Sequence, residues 1–239
     1  THTMSAFRSG LRSLLPDSVH LISGPGCPVC VTSADYIDTA IAIAGRPGTC
    51  IASFGDMVRV PGSTGSLELL RARGAQVKMV YSPLDALEFA AKNPSIQVVF
   101  LGIGFETTAP TVGWTIKNAH ERAIPNYSVL CAHKTMPQAM KTLVQARDIA
   151  VDAFLCPGHV SIIIGSDAYT FLARDYGIPS VVTGFEADDM LRGLDTLIGY
   201  IAAGERKVGN TYRRVVKETG NPKAKALLES MLEPYDAVW

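Results

Sequence analysis

Apolar residues recur along the chain in two alternating patterns. Short runs rich in Val, Ile and Leu occur at 19–23, 50–54, 77–81, 98–103, 128–131, 153–156 and 180–183. Between several of them lie stretches with apolar residues at helical spacing, at 34–44, 84–92, 111–123, 136–147 and 188–203. Runs that are apolar on both faces suit strands of a parallel sheet covered on both sides. Many of the intervening stretches open with Pro, Ser, Thr or Asp, which start helices well. The alternation predicts an α/β fold with helices on both faces of parallel sheets.

One internal echo bears on the organisation. Gly104-Phe105-Glu106 and Gly184-Phe185-Glu186 each follow an expected strand and precede an expected helix. The repeat suggests two similar α/β domains, 1–110 and 111–239, the first carrying the cysteine-rich loop. No linker marks the boundary, and residues 206–239 are more polar than the rest.

Composition narrows the classes. Of 239 residues 47% are apolar and 18% charged, enough for a buried core and unlike a disordered chain. Twenty-two basic residues balance 22 acidic ones, so no net charge steers the chain to nucleic acid or an anionic membrane. Five cysteines, an odd number in a chain of this size, read as free thiols in a reducing, cytoplasmic compartment. No signal peptide is apparent, and no apolar stretch reaches membrane-spanning length. Position 1 is Thr1 rather than methionine, which reads as a fragment.

The candidate chemistry falls at one kind of position, the carboxyl ends of the expected strands, where open parallel sheets bind ligands. The loops in question begin at Gly24, Phe54, Gly104, Cys131 and Cys156. Cys27-Pro28-Val29-Cys30 is the sharpest of them: two thiols at this spacing close a small disulfide or clamp a soft metal ion. A second such pair, as in a zinc ribbon, is missing. Cys50, Cys131 and Cys156 read as core cysteines at strand ends. His133 and His159 follow turns and are site candidates, whereas His20 and His120 read as structural or exposed. Glu106 is a candidate acid, base or binding group, with Thr107 and Thr108 as alternative helix caps. Asp56 and Arg59 are placed to pair with each other. No nucleotide fingerprint, phosphate loop or nucleophile elbow is present.

Taken in order, Gly24-Pro25-Gly26-Cys27-Pro28-Val29-Cys30, 54–62 (Phe-Gly-Asp-Met-Val-Arg-Val-Pro-Gly), Gly104-Phe105-Glu106-Thr107-Thr108, Pro157-Gly158-His159-Val160-Ser161 and Thr183-Gly184-Phe185-Glu186 resemble the HypD family. The resemblance implies a cytoplasmic [NiFe] hydrogenase maturation factor. With the chaperone HypC it would carry the iron that becomes the Fe(CN)2CO group, cyanide arriving through HypE. It implies two similar α/β domains and a third region holding a [4Fe-4S] cluster. Cys27 and Cys30 would then serve iron handling, redox chemistry or both. His2, Glu106, His133 and His159 would bond cyanide nitrogen or relay protons. The family pattern Cys-Gly-Thr-His-Thr places a cysteine just before Thr1, and the cysteine-rich iron–sulfur region is missing after Cys156. The fragment is thus expected to hold no [4Fe-4S] cluster. Two other readings stay open, a thioredoxin-like dithiol oxidoreductase and a zinc-dependent binding module, and with them whether the chain is an enzyme.

Overall fold

The computed structural model describes residues 2–24, 26–146 and 150–236. It opens with α1 (His2–Arg8), a 3-10 turn (Leu11–Leu14) and α2 (Ala34–Ala44). There follow β1 (Thr49–Ser53), α3 (Gly55–Val58), α4 (Leu67–Ala72), β2 (Gln76–Met79) and α5 (Pro83–Lys92). Next come β3 (Gln97–Gly104), α6 (Ala109–Glu121), β4 (Tyr127–His133), α7 (Met136–Gln145), β5 (Phe154–Pro157) and α8 (Gly158–Ile164). The chain continues through a second 3-10 turn (Asp167–Tyr169), α9 (Thr170–Tyr176), β6 (Ser180–Thr183), α10 (Ala187–Ala202), β7 (Val208–Asn210) and α11 (Pro222–Met231).

The fold is α/β, with two parallel sheets flanked by helices, ordered β2-β1-β3-β4 and β5-β6-β7. Two compact units result. One holds the described residues of 1–26 and 135–225, the other those of 27–134 and 226–239. Residue 110, where the sequence suggested a division, lies in the first turn of α6, inside the second of these.

The four-stranded unit shows why its strands are apolar at consecutive positions. Side chains alternate between the faces of a strand. Ile51, Val77, Leu101 and Ile103 face one way, beneath Tyr36, Ile37, Ala40 and Ala44 of α2 and Leu67 of α4. Ala52, Val98, Phe100 and Tyr127 face the other way, beneath Ala86, Leu87 and Ala90 of α5 and Val112 and Ala119 of α6. Burying two faces requires apolar residues on both. The start of α5 is set by Pro83 and by a capping box in which Ser82 and Asp85 satisfy each other's backbone N–H groups. Gly113 lets α11 lie close on α6: a Cβ there would meet Met231 Cβ at 3.3 Å.

In the three-stranded unit β6 is central and buried at each of its four positions. Ala6 and Leu11 pack on Met190 and Leu194 of α10, with Leu15, Leu21 and Leu155 at the margin. This cluster explains a correction. Residues 19–23 carry no strand, because Leu21 is held by the cluster while Ile22 is 74% exposed and pairs with no sheet. The run at 19–23 is apolar enough for a strand but pairs with no described strand. The short β7 lies in the polar segment, where periodicity is too brief to signal it. The other expected strands and helices are present with ends shifted by a few residues. Arg147, expected to end α7, and Pro25 lie outside the described residues.

Candidate functional site

The sequence-selected residues fall into two groups, one in each unit. The first begins at the dithiol. Residues 27–32 form a single helical turn, closed by Val31 N–H to Cys27 C=O at 3.3 Å and Thr32 N–H to Val29 C=O at 3.2 Å. Thr32 Oγ1 donates to Pro28 C=O at 2.8 Å and Val29 packs into the cluster around Tyr36 and Ile37. The turn is therefore anchored by its middle while its sulfurs stay outside. Cys30 is exposed, Cys27 is half-buried, and both are free thiols. Cys30 N–H donates to Cys27 Sγ at 3.3 Å, the place that an N-cap oxygen takes in an ordinary helix.

This geometry separates the two thiols. Cys30, donating to the Cys27 sulfur, holds the Cys27 thiol below its ordinary range, and the backbone N–H groups of Cys30 and Val29 add to the effect. Partial burial opposes it, and the charge of Asp56 does so to a smaller extent. The same bond pushes Cys30 up, since Cys30 supplies the proton. One sulfur of the pair thus gives up its proton more readily than the other. The loop after β1 contributes that Asp56 charge. Arg59, however, reaches Glu68 at 3.6 Å rather than Asp56, in an exposed pair.

Glu106 is buried in the turn between β3 and α6. Thr108 occupies the N-cap position of α6 but makes no cap bond. Its Oγ1 donates to Ile103 C=O and Phe105 C=O, both at 3.3 Å. At the end of β4, Cys131 and His133 share one face of the strand, and Cys131 Sγ lies 3.4 Å from His133 Nδ1. Cys131 is exposed, not a core cysteine, and stands on β4, the edge strand of its sheet. Cys50 and Cys156 are buried, as core cysteines should be. Burial pushes the His133 imidazole down to about 4.

The second group lies at the carboxyl end of β6. His2 Nε2 sits 2.9 Å from Gly184 C=O and 3.3 Å from Thr183 C=O. Carbonyls only accept, so Nε2 carries the proton and Nδ1 is a bare acceptor. Burial lowers the His2 pKa, against the raising effect of those two carbonyls. The His2 ring stacks on Phe185 at 4.5 Å between centroids, and the ring of exposed His159 contacts Phe185 at 4.1 Å. Sequence reasoning missed the support beneath. Asp189 is buried and accepts from both terminal nitrogens of Arg214 at 2.6 Å, and Arg214 covers the Tyr212 ring. The Arg214 guanidinium holds the Asp189 carboxyl below its usual range. The signal available was the acidic pair Asp188-Asp189 opening a long helix, which reads equally as dipole complement. His20 and His120 are exposed. Among the described residues no three or more His, Cys, Asp or Glu side chains gather to hold a metal ion.

Comparison with known proteins agrees with the loops. The family described as "HypD: Hydrogenase formation hypA family" matches residues 1–239. The chain belongs to the HypD family. It is 46% identical over 239 residues to the hydrogenase maturation factor HypD of Escherichia coli (strain K12), covering 100% of this chain and 64% of that protein. To the hydrogenase maturation factor HypD of Rhodobacter capsulatus it is 45% identical over 232 residues, covering 97% and 62%. To that of Azotobacter vinelandii it is 45% identical over 239 residues, covering 97% and 63%. The chain thus spans less than two thirds of the length of these curated HypD relatives.

A first prediction arises from the HypD dithiol turn. Under limiting iodoacetamide at neutral pH, Cys27 will be alkylated roughly tenfold faster than Cys30, since only its thiolate is stabilised. Peptide mass spectrometry at short times reads the ratio. Equal labelling would show that the N–H and S–H donors at Cys27 are not formed in solution.

Proposed function

We propose that this chain carries the iron-handling part of a hydrogenase maturation factor. Its cargo is the iron that becomes the Fe(CN)2CO group of [NiFe] hydrogenase, with HypC as the partner on which it is assembled and HypE as the source of cyanide. The observation that carries this reading is the Cys27–Cys30 turn, with a stabilised thiolate at Cys27 and a second thiol one turn on. Iron bearing cyanide and carbonyl is a soft, electron-rich centre, and thiolates suit it. Two protein donors leave the remaining positions to cyanide, carbonyl and a partner's ligand. The place of action is the cytoplasm, in keeping with free thiols. No described helix is long and apolar enough to cross a membrane.

Glu106, His133, His2 and His159 supply hydrogen bonds or a proton path in this reading. The chemistry sorts them. Cyanide nitrogen accepts hydrogen bonds, whereas the His2 N–H is taken up by Gly184 and Thr183. His2 therefore serves through its bare Nδ1, as a proton acceptor. A second reading is a dithiol oxidoreductase, favoured by the same low–high pairing of the two thiols. The zinc-module reading has no third ligand for the dithiol among the described residues.

The test is anaerobic co-purification of the full-length protein with HypC, wild type against a Cys27→Ser/Cys30→Ser variant, followed by infrared spectroscopy. Cyanide and carbonyl bands present in the wild type and lost in the variant are expected. A stable complex with no bands in either protein would overturn the scaffold reading. Turnover in insulin reduction would then favour the oxidoreductase.

A further inference from the structure

Outside the dithiol turn, one pair of reactive side chains is set in a purpose-shaped place. Cys131 and His133 stand two residues apart on the same face of β4, with Sγ 3.4 Å from Nδ1. The imidazole lies against β3 where that strand reads Gly102-Ile103-Gly104, and the register pairs Gly102 with Cys131 and Gly104 with His133. A Cβ on Gly102 would meet His133 Cε1 at 3.1 Å, and one on Gly104 would meet His133 Cδ2 at 3.5 Å. Gly102 thus leaves room in which the ring lies, a Cβ on Gly104 being only in ordinary contact with it and meeting Thr108 first, and the ring's edge is turned to the sulfur.

The protonation of the ring follows from its surroundings. Burial opposes the imidazolium, so His133 is neutral at physiological pH and is not a base for the thiol proton. Nε2 is enclosed and has no hydrogen-bond partner. A proton on Nε2 would be a buried donor without an acceptor, whereas a proton on Nδ1 meets Cys131 Sγ. The favoured tautomer therefore aims an N–H at a sulfur that is itself exposed. A neutral donor at an exposed sulfur is what a nucleophilic thiolate needs. A buried imidazole that must take the thiol proton is not.

We propose that Cys131 is a thiol–disulfide exchange site, separate from Cys27 and Cys30, that takes up a disulfide-bearing substrate with His133 Nδ1–H holding the attacking sulfur. In the step, the Cys131 thiolate attacks one sulfur of R–S–S–R. A new S–S bond forms as the old one breaks, and the electron pair leaves on R–S⁻. The proton lost by Cys131 and that gained by R–S⁻ pass through solvent. The net change is Cys131–SH plus RSSR giving Cys131–S–S–R plus RSH, and the disulfide is the only co-reactant.

The test uses glutathione disulfide as probe and peptide mass spectrometry to locate the adduct. In a Cys27→Ser variant, Cys30 remains as an exposed reference thiol and Cys50 and Cys156 are buried. Cys131 is expected to form the adduct ahead of Cys30. Adding His133→Leu should slow the Cys131 adduct about tenfold, the worth of one hydrogen bond to a charged group. His133→Asn, whose amide N–H takes the place of Nδ1–H, should keep the rate within about twofold of the parent. A purely structural role for His133 would not separate Leu from Asn in this way. A Cys131 adduct that lags behind Cys30 would overturn the proposal, a result that needs no His133 variant to fold. So would an unchanged rate in His133→Leu.

Discussion

Gly184→Ala will destabilise the three-stranded unit by about 2–3 kcal/mol, the ordinary cost of an overfilled site in a close-packed interior. Its Cβ would overlap the Asp189 carboxylate, and would stand 2.7 Å from Asp189 Cγ and 2.8 Å from Tyr212 Cε2. Neither neighbour can give way freely. Asp189 is held by Arg214 and also receives, at its own C=O, the Thr183 hydroxyl at 2.6 Å. Tyr212 lies under the Arg214 guanidinium. The backbone that would have to move is the one whose carbonyls fix the His2 tautomer and whose next residue, Phe185, meets both imidazoles. Gly199→Ala is the control: it lies on the exposed face of α10 with nothing near its Cβ, and should be neutral or stabilising by up to about 1 kcal/mol. Urea unfolding of the two variants measures the difference. A Gly184→Ala protein as stable as the wild type would show that the Asp189–Arg214–Tyr212 support yields easily.

That support marks the limit of what the chain discloses by itself. The strand at 180–183 and the helix behind it are legible because both are apolar at the right spacing. The Asp189–Arg214 pair is not, since the partners are 25 residues apart and each stands beside a like-charged neighbour that faces elsewhere. The dithiol is legible as a motif, yet its asymmetry depends on a backbone N–H aimed at one sulfur, and spacing alone treats the two cysteines alike. Cys131 is the converse case. An apolar run ending in cysteine reads as core, but β4 is the edge of its sheet and strand order is not written in periodicity. Residues 19–23 fail for a related reason: a short apolar run says nothing of whether a neighbour exists to pair with it. The Gly-Phe-Glu repeat does fall at the carboxyl ends of β3 and β6, Gly104 closing β3 and Gly184 following β6, where a parallel sheet offers its ligand-binding edge.

Burial of His133 gives the four-stranded unit one separable part of its dependence on pH. His133 binds its proton at 6.5 in the unfolded chain and at about 4 in the folded one, because burial penalises the charge. Above the unfolded value both states are neutral and nothing changes. As pH falls from about 6.5 toward 4 the unfolded state takes up the proton and the folded state does not, so stability drops with falling pH. At about 1.4 kcal/mol per pH unit the loss approaches 3 kcal/mol by pH 4. Carboxylates titrate in the same range, so the quantity to follow is the difference between the wild type and His133→Asn, which keeps an N–H near Cys131 but has no proton to gain. Trp114 in α6 reports on this unit, and a Trp239→Phe background removes the other indole. The wild type should lose ground to the variant between pH 6.5 and 4 and run parallel to it above pH 7. Parallel curves throughout would mean that the ring reaches water readily. Burial would then not keep the imidazole neutral, and the tautomer that points Nδ1–H at Cys131 would lose its cause.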